Sequence, residues 1–184
     1  MKTLAPIMLG LILIVTARSA SAQMGPPTPA PELNKLDYFS GSWTIEATIG
    51  QGPWGNGGKF SATGTDEWMK GNFFLIGHSD FTLPAEFGGG GGAVVILGYD
   101  PDKKVYTEDR FDSHGQHQKS VGTLTGDTWT WTSQNNYNGM TIQGRLTLKL
   151  VSPTSYTTKY EVSPDAGATW IPFWDGKATK NSWK

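Results

Sequence analysis

Short stretches in which apolar and polar residues alternate, each bounded by Gly, Pro, Asn or Asp, recur along this chain from Ser42 to Thr179. The cleanest runs from Ile142 to Leu150, with Ile142, Gly144, Leu146, Leu148 and Leu150 on one side and Gln143, Arg145, Thr147 and Lys149 on the other. A period of two is that of a β-strand, whose successive side chains point to opposite faces. Ser42 to Ile49 repeats it with Trp43, Ile45, Ala47 and Ile49 inside, and Tyr156 to Val162 with Tyr156, Thr158, Tyr160 and Val162. Further strands are expected over 59–69, 72–81, 93–99, 104–112, 116–124, 128–133 and 169–179, with Lys70-Gly71, Asp100-Pro101-Asp102 and Gly126-Asp127 as turns. The run Ala93 to Tyr99 is apolar throughout, as for a strand covered on both faces, and the inward faces of 59–69 and 72–81 stay open. About ten sequential strands favour an all-β, up-and-down antiparallel barrel, because closure removes the edges that an open sheet would expose.

Ahead of the strands, Leu33, Leu36 and Phe39 lie three residues apart, enough for one or two helical turns closing against something apolar. Before them, residues 23–31 are Pro-rich and uncharged, an extended spacer. Residues 1–22 have the order of a cleavable signal peptide: Lys2, an apolar run from Leu4 to Val15, then Ala20-Ser21-Ala22 as the cleavage site. The run is shorter than the ~20 residues that span a bilayer, and no Cys follows it for lipid attachment. The expectation is therefore a secreted or periplasmic protein, cut after Ala22 and soluble, with residues 32–184 as one barrel domain. Without Lys2 and Arg18, 13 basic residues face 16 acidic ones, a net of −3. That balance lacks the basic stripe of a nucleic-acid binder. With no Cys, packing alone must hold the domain.

The segment Leu36 to Trp43 (LDYFSGSW) places a short helix and a Gly-x-Trp motif, Gly41 and Trp43, at the entrance to the first strand. This resembles the lipocalin and fatty-acid-binding barrels of the calycin group, where the same arrangement plugs one end. Glu67-Trp68-Met69-Lys70-Gly71-Asn72-Phe73, Gly98-Tyr99-Asp100, Tyr106 and Asp112-Ser113-x-Gly115 resemble more specifically an exported bacterial domain-of-unknown-function family, number fifteen seventy-nine. The resemblance spans nearly all of the expected domain. It implies a lipocalin-like fold with ligand binding as its default use, and no activity. The lipocalin Arg that stacks over the Trp is missing from the final strand. Lys177 or Lys180 would replace it imperfectly, since an ammonium stacks less well than a planar guanidinium.

Several residue groups bear on chemistry. Ser163-Pro164-Asp165-Ala166-Gly167-Ala168-Thr169-Trp170 fits the Asp-box pattern of sialidase propeller blades. A propeller needs one copy per blade, and a single copy reads as a self-capped hairpin. Asp112, His114 and His117 gather a carboxylate and two imidazoles, either weak candidates for a divalent metal such as zinc or the polar tip of a hairpin. His78, beside Phe74 and Ile76, is either a wall histidine or a haem ligand, as in the nitrobindin barrels of the same superfamily. Arg110 is an anchor for an acidic ligand group if it faces inward and a solvated charge if it faces out. Gly88 to Gly92 lacks the Lys-Ser/Thr of a phosphate loop and reads as a flexible flap at the barrel mouth. No nucleophile elbow or hydrolase triad can be assigned.

The aromatics Trp43, Trp68, Trp129, Trp131, Trp170, Trp174, Tyr156 and Tyr160 all fall in expected strands. These features leave three readings. The first is a barrel binding a small apolar or amphipathic molecule, with Trp68, Phe74, His78, Arg110, Trp129, Trp131 and Tyr160 as candidate ligand contacts. The second is a metal-dependent enzyme using Asp112, His114 and His117, and the third a cell-envelope module displaying Trp129 and Trp131 outward. The first is preferred, with no cofactor favoured.

Overall fold

The computed structural model describes residues 27–53, 55–137 and 139–181; the expected signal peptide lies outside them. Ten strands follow one another: β1 (Gly41–Ile49), β2 (Gly58–Trp68), β3 (Leu75–Thr82), β4 (Gly90–Asp100), β5 (Val105–Asp112), β6 (His117–Thr125), β7 (Thr128–Tyr137), β8 (Met140–Ser152), β9 (Ser155–Ser163) and β10 (Ile171–Lys180). Each pairs antiparallel with the next, and β10 pairs with β1, so the sheet closes into a barrel without an edge. A barrel of this strand number is wider than the eight-stranded kind whose side chains just fill the interior. What fills the remainder decides its use.

One end is sealed. A 3₁₀ helix, Pro31–Tyr38, crosses it and buries Leu33 and Leu36, joined by Phe39, against Trp43, Leu75, Leu97, Tyr106, Trp129 and Tyr156. Polar contacts fix the angle of this plug. The Trp43 indole N–H donates to the Phe39 carbonyl at 2.7 Å, the Tyr38 hydroxyl reaches the Ser152 and Ser155 carbonyls at 2.8 and 2.9 Å, and the Trp68 indole N–H donates to the Asp37 carboxylate at 2.7 Å. Gly41 takes a φ of 107°, which turns the chain from plug to strand at little cost to a residue without Cβ. Lys180 fills the place of the missing arginine, its ammonium 5.3 Å from the centre of the Trp43 ring. The Gly-x-Trp expectation and the lysine substitute both describe this end.

Two local expectations need correction. Only Gly88 and Gly89 of the glycine run form a turn; Gly90, Gly91 and Gly92 are the first residues of β4, paired with Thr82, Phe81 and Asp80. The absence of a side chain at Gly91 makes room there, since a Cβ would come within 2.7 Å of the Phe81 ring. Nor is β4 covered on both faces. Val94 and Ile96 point away from the barrel and remain half-exposed, while Ala93 and Leu97 face in and are buried. The continuous apolar run reflects a fully apolar inner row beside an outer row that is half-exposed at Val94 and Ile96 and covered at Gly98 by Phe74.

Candidate functional site

Alternation fixes which side chains enter the lumen, and their exposure varies along it. Near the plug Leu75 and Trp129 are 0% exposed and Trp131 is 3% exposed, while Asp66, Trp68, Tyr99 and Leu124 keep part of their surface. Towards the other end, Phe60, Val95, Glu108, Arg110, Gln118, Asn135, Tyr160 and Trp174 also point inward, yet all remain partly exposed. A side chain facing the inside of a closed barrel gains exposure only from the lumen or its mouth. These residues therefore keep some space beside them, while Ala62, Phe81 and Ala93 form a second packed cluster on the β2 to β4 side of the same half, with Phe60 against it.

The chemistry of that half is mixed. Glu108, Ser120 and Ser133 occupy neighbouring positions across β5, β6 and β7, and Arg110 and Gln118 form the next pair towards the mouth. A chain of hydrogen bonds joins them: the Asn135 amide donates to Gln118 at 3.2 Å, the Gln118 amide to Ser120 at 3.3 Å, and Ser120 to the Glu108 carboxylate at 3.3 Å. Burial pushes the Glu108 carboxyl up, with Arg110 and Ser120 offsetting part of the effect. Burial also raises the Tyr160 hydroxyl, against the opposing hydrogen bond to Ser133. Tyr160 can lie there because Gly144 leaves the space that a Cβ would take beside both Ser133 and the phenol. Aromatic rings complete the wall. Phe60 and Tyr160 meet Trp174 at 5.4 and 6.1 Å between centres, and the Arg110 guanidinium sits 5.7 Å from the centre of the Phe81 ring.

A lid lies over this end. The 3₁₀ turn Ala85–Phe87 sets Phe87 edge-on to Phe173 at 5.5 Å, and Glu86 accepts the Asn56 backbone N–H at 2.8 Å. Phe173 in turn touches Tyr160 at 6.2 Å, so the lid leans on the aromatic wall beneath. The sequence places the flap at the right end but one element too late, in the glycines rather than in 83–89.

The predicted site residues separate. Arg110 and Tyr160 line the open lumen, Arg110 taking the inward orientation. Trp131 is part of the core under it, stacked on Trp129 at 5.8 Å. Both tryptophans are buried, which removes them as an outward-facing aromatic surface. The Trp129 indole N–H has no acceptor and its ring packs edge-on against Tyr106 at 4.6 Å. Trp68 belongs to the plug. Phe74 and His78 are corrections: Phe74 is exposed at the start of the hairpin and packs over Gly98, and His78 alternates with inward Gly77 and Ser79, so it points outside. From there His78 cannot ligate a haem in the lumen. Glu108, Gln118, Ser133 and Asn135 were missed. Their signal was an unusually polar inward row in β5 to β7, which reads as surface until the face is known.

The Asp112, His114 and His117 group does not converge. Asp112 accepts the backbone N–H groups of His114 and Gln116 at 3.0 and 3.1 Å, closing its own turn, while His114 lies edge-on to Phe81. His117 points outward, bonded to Asp109 at 2.7 Å and stacked on Phe111. Among the described residues no three such side chains are grouped for a metal. The Asp-box hairpin is a structural turn. Ser163 bonds Asp165 at 2.7 Å and accepts the Gly167 N–H at 2.8 Å, and Asp165 accepts the Thr169 N–H and hydroxyl at 2.8 and 2.6 Å. Trp170 packs under the Arg145 guanidinium at 4.1 Å, and Arg145 also binds buried Glu161 at 2.8 Å.

Two hollows open on the outside, one of about 470 Å³ beside Met140 and Asp165 and one of about 660 Å³ beside His78 and Asp80. Both face bulk solvent, where a polar contact competes with water at full strength. The lumen brings Glu108, Arg110, Gln118 and Tyr160 together beside aromatic rings, and is the candidate site on that ground.

Comparison with known proteins agrees with this architecture. The crystal structure of Rv2717c from M. tuberculosis is similar at 12% sequence identity and a TM-score of 0.58, covering 84% of this chain and 99% of that one. At that identity the likeness concerns the fold. No curated protein matches the sequence. The family described as "Protein of unknown function (DUF1579)" matches residues 28–180, the whole barrel with its plug, and the chain belongs to that family.

Proposed function

We propose that this protein is an exported carrier or sensor barrel that holds one small apolar or amphipathic molecule in the open half of its lumen. The observation that carries the reading is a set of inward polar and aromatic residues, Glu108, Arg110, Gln118, Asn135, Tyr160 and Trp174, that stay partly exposed inside a closed barrel. A stable, plugged floor with a partly exposed, mixed-polarity upper half is the arrangement of a pocket formed before its ligand arrives. The export half of the proposal stands on the order of charges and apolar residues in 1–22.

The test is native mass spectrometry of protein purified from its exported fraction, with solvent extraction of what co-purifies, and titration with the neutral fluorophore N-phenyl-1-naphthylamine. Expected are a mature mass beginning at Gln23 and saturable uptake of one probe per chain. Folded protein that carries nothing and takes up no probe refutes the binding reading. A mass that retains residues 1–22 after export refutes the cleavage.

A further inference from the structure

We infer that the lumen accepts an amphipathic acid, its carboxylate or equivalent oxyanion bound by Arg110 and its apolar body against Phe60 and Trp174; this rests on the lumen-binding reading above. Arg110 pairs with Val95 on one side and Gln118 on the other, and its guanidinium lies against the Phe81 ring, which places it inside. Among the described residues the ion pairs are all made by other cations. The two carboxyls beside it on the same face of β5 are engaged elsewhere. Asp112 is turned back into the 113–116 turn by two backbone N–H groups, and Glu108 accepts from Ser120. Burial raises the Glu108 carboxyl while Arg110 opposes the rise, and the two make no ion-pair contact.

An arginine in this position is costly unless something answers it, because a half-desolvated charge keeps only part of its hydration. A cationic ligand would add repulsion, and a neutral one would strip water from the guanidinium without replacing it. An oxyanion replaces that water with charge-assisted hydrogen bonds in a planar fork. The aromatic wall supplies the rest of the specificity. Phe81 lies against the guanidinium, and Phe60 and Trp174 line the same open half of the lumen. The favoured ligand is therefore polar at one end and apolar at the other.

The experiment compares two probes with one scaffold, 1-anilinonaphthalene-8-sulfonate and N-phenyl-1-naphthylamine, which lacks the sulfonate, on the wild type and on Arg110→Gln. The expected result is about tenfold tighter binding of the anion by the wild type. Arg110→Gln should erase that preference while leaving the neutral probe's affinity unchanged, and dodecanoate should displace either probe better than dodecanol. Equal affinities in the wild type, or a preference that survives the substitution, overturn the inference while leaving lumen binding intact. Failure of both probes to bind overturns both. Should Arg110→Gln fail to fold by circular dichroism, the wild-type comparison and Arg110→Lys decide. A lysine that loses part or all of the anion preference supports the planar fork, and one that keeps it in full overturns it.

Discussion

Replacing Asp66 with asparagine should stabilise the protein near neutral pH and leave it unchanged near pH 4. Asp66 faces the lumen from β2, its carboxylate lying over Gly77, in space that any side chain at that position would claim. Burial raises it from the ordinary 3.8 to about 6, with Lys180 offsetting part of the rise. The folded protein thus holds this proton more tightly than the unfolded chain. The contribution of this group is greatest below pH 4, declines as the pH rises to about 6, and is level above that. At about 1.4 kcal/mol for each power of ten in the ionisation constant, the ceiling at pH 7.5 is about 3 kcal/mol. Partial contact with lumen water reduces this to about 1–2 kcal/mol, or a Tm higher by roughly 2–8 °C in a protein of this size. Urea denaturation of the wild type and Asp66→Asn at pH 4 and 7.5 measures the difference directly. A variant that is equally stable or less stable at pH 7.5 refutes the placement of an uncompensated carboxylate inside the barrel.

Other substitutions test the rest of the interior. Gly122→Ala would put a methyl group 2.5 Å from the Trp131 ring, and overpacking of this kind costs about 1–3 kcal/mol. Wild-type stability in chemical denaturation would show that Trp131 does not pack over that position. Ser163→Ala removes a fully buried hydroxyl that links Asp165 to the Gly167 N–H, with an expected loss of about 1–3 kcal/mol. The Thr169 hydroxyl and N–H, with Ser163, hold the Asp165 carboxyl down at about 2. The stability it contributes is present above the ordinary 3.8 and is lost as the pH falls through about 2. Asp165→Asn should therefore flatten the acid end of the stability profile; an unchanged acid limb would sink that assignment.

The strand pattern was legible because its inner rows carry strong signals. Ile142 to Leu150 and Tyr156 to Val162 face inward as their alternation predicts, and the plug follows from the spacing of Leu33, Leu36 and Phe39. The open lumen was less legible for a physical reason. A strand that lines a ligand space carries polar residues on both faces, so β5 and β6, with Glu108, Arg110 and Gln118 inside and Asp109 and Lys119 outside, lose the contrast that marks an interior. For the same reason the sequence left the orientation of Arg110 open, and the structure turns it inward. His78 misled in the opposite sense: its apolar neighbours Phe74 and Ile76 suggested an interior, but both lie outside, and the small residues Gly77 and Ser79 face in. Of the two readings of Asp112, His114 and His117, the hairpin tip holds for Asp112, because the 113–116 turn spends its carboxylate on its own backbone.

The seam between β1 and β10 sets the order in which this protein can fold. Every other pairing joins neighbours in the chain, whereas this one brings Trp43 to Lys180 and so waits for almost the last described residue. Until then β1 and β9 are open edges of a curled sheet, with unpaired backbone groups able to recruit another chain. Contacts so distant in sequence also form late and slowly, because the loop they close must first lose its freedom. The interval before closure is thus when this chain is most exposed to aggregation, and the docking of β10 between β9 and β1 ends it.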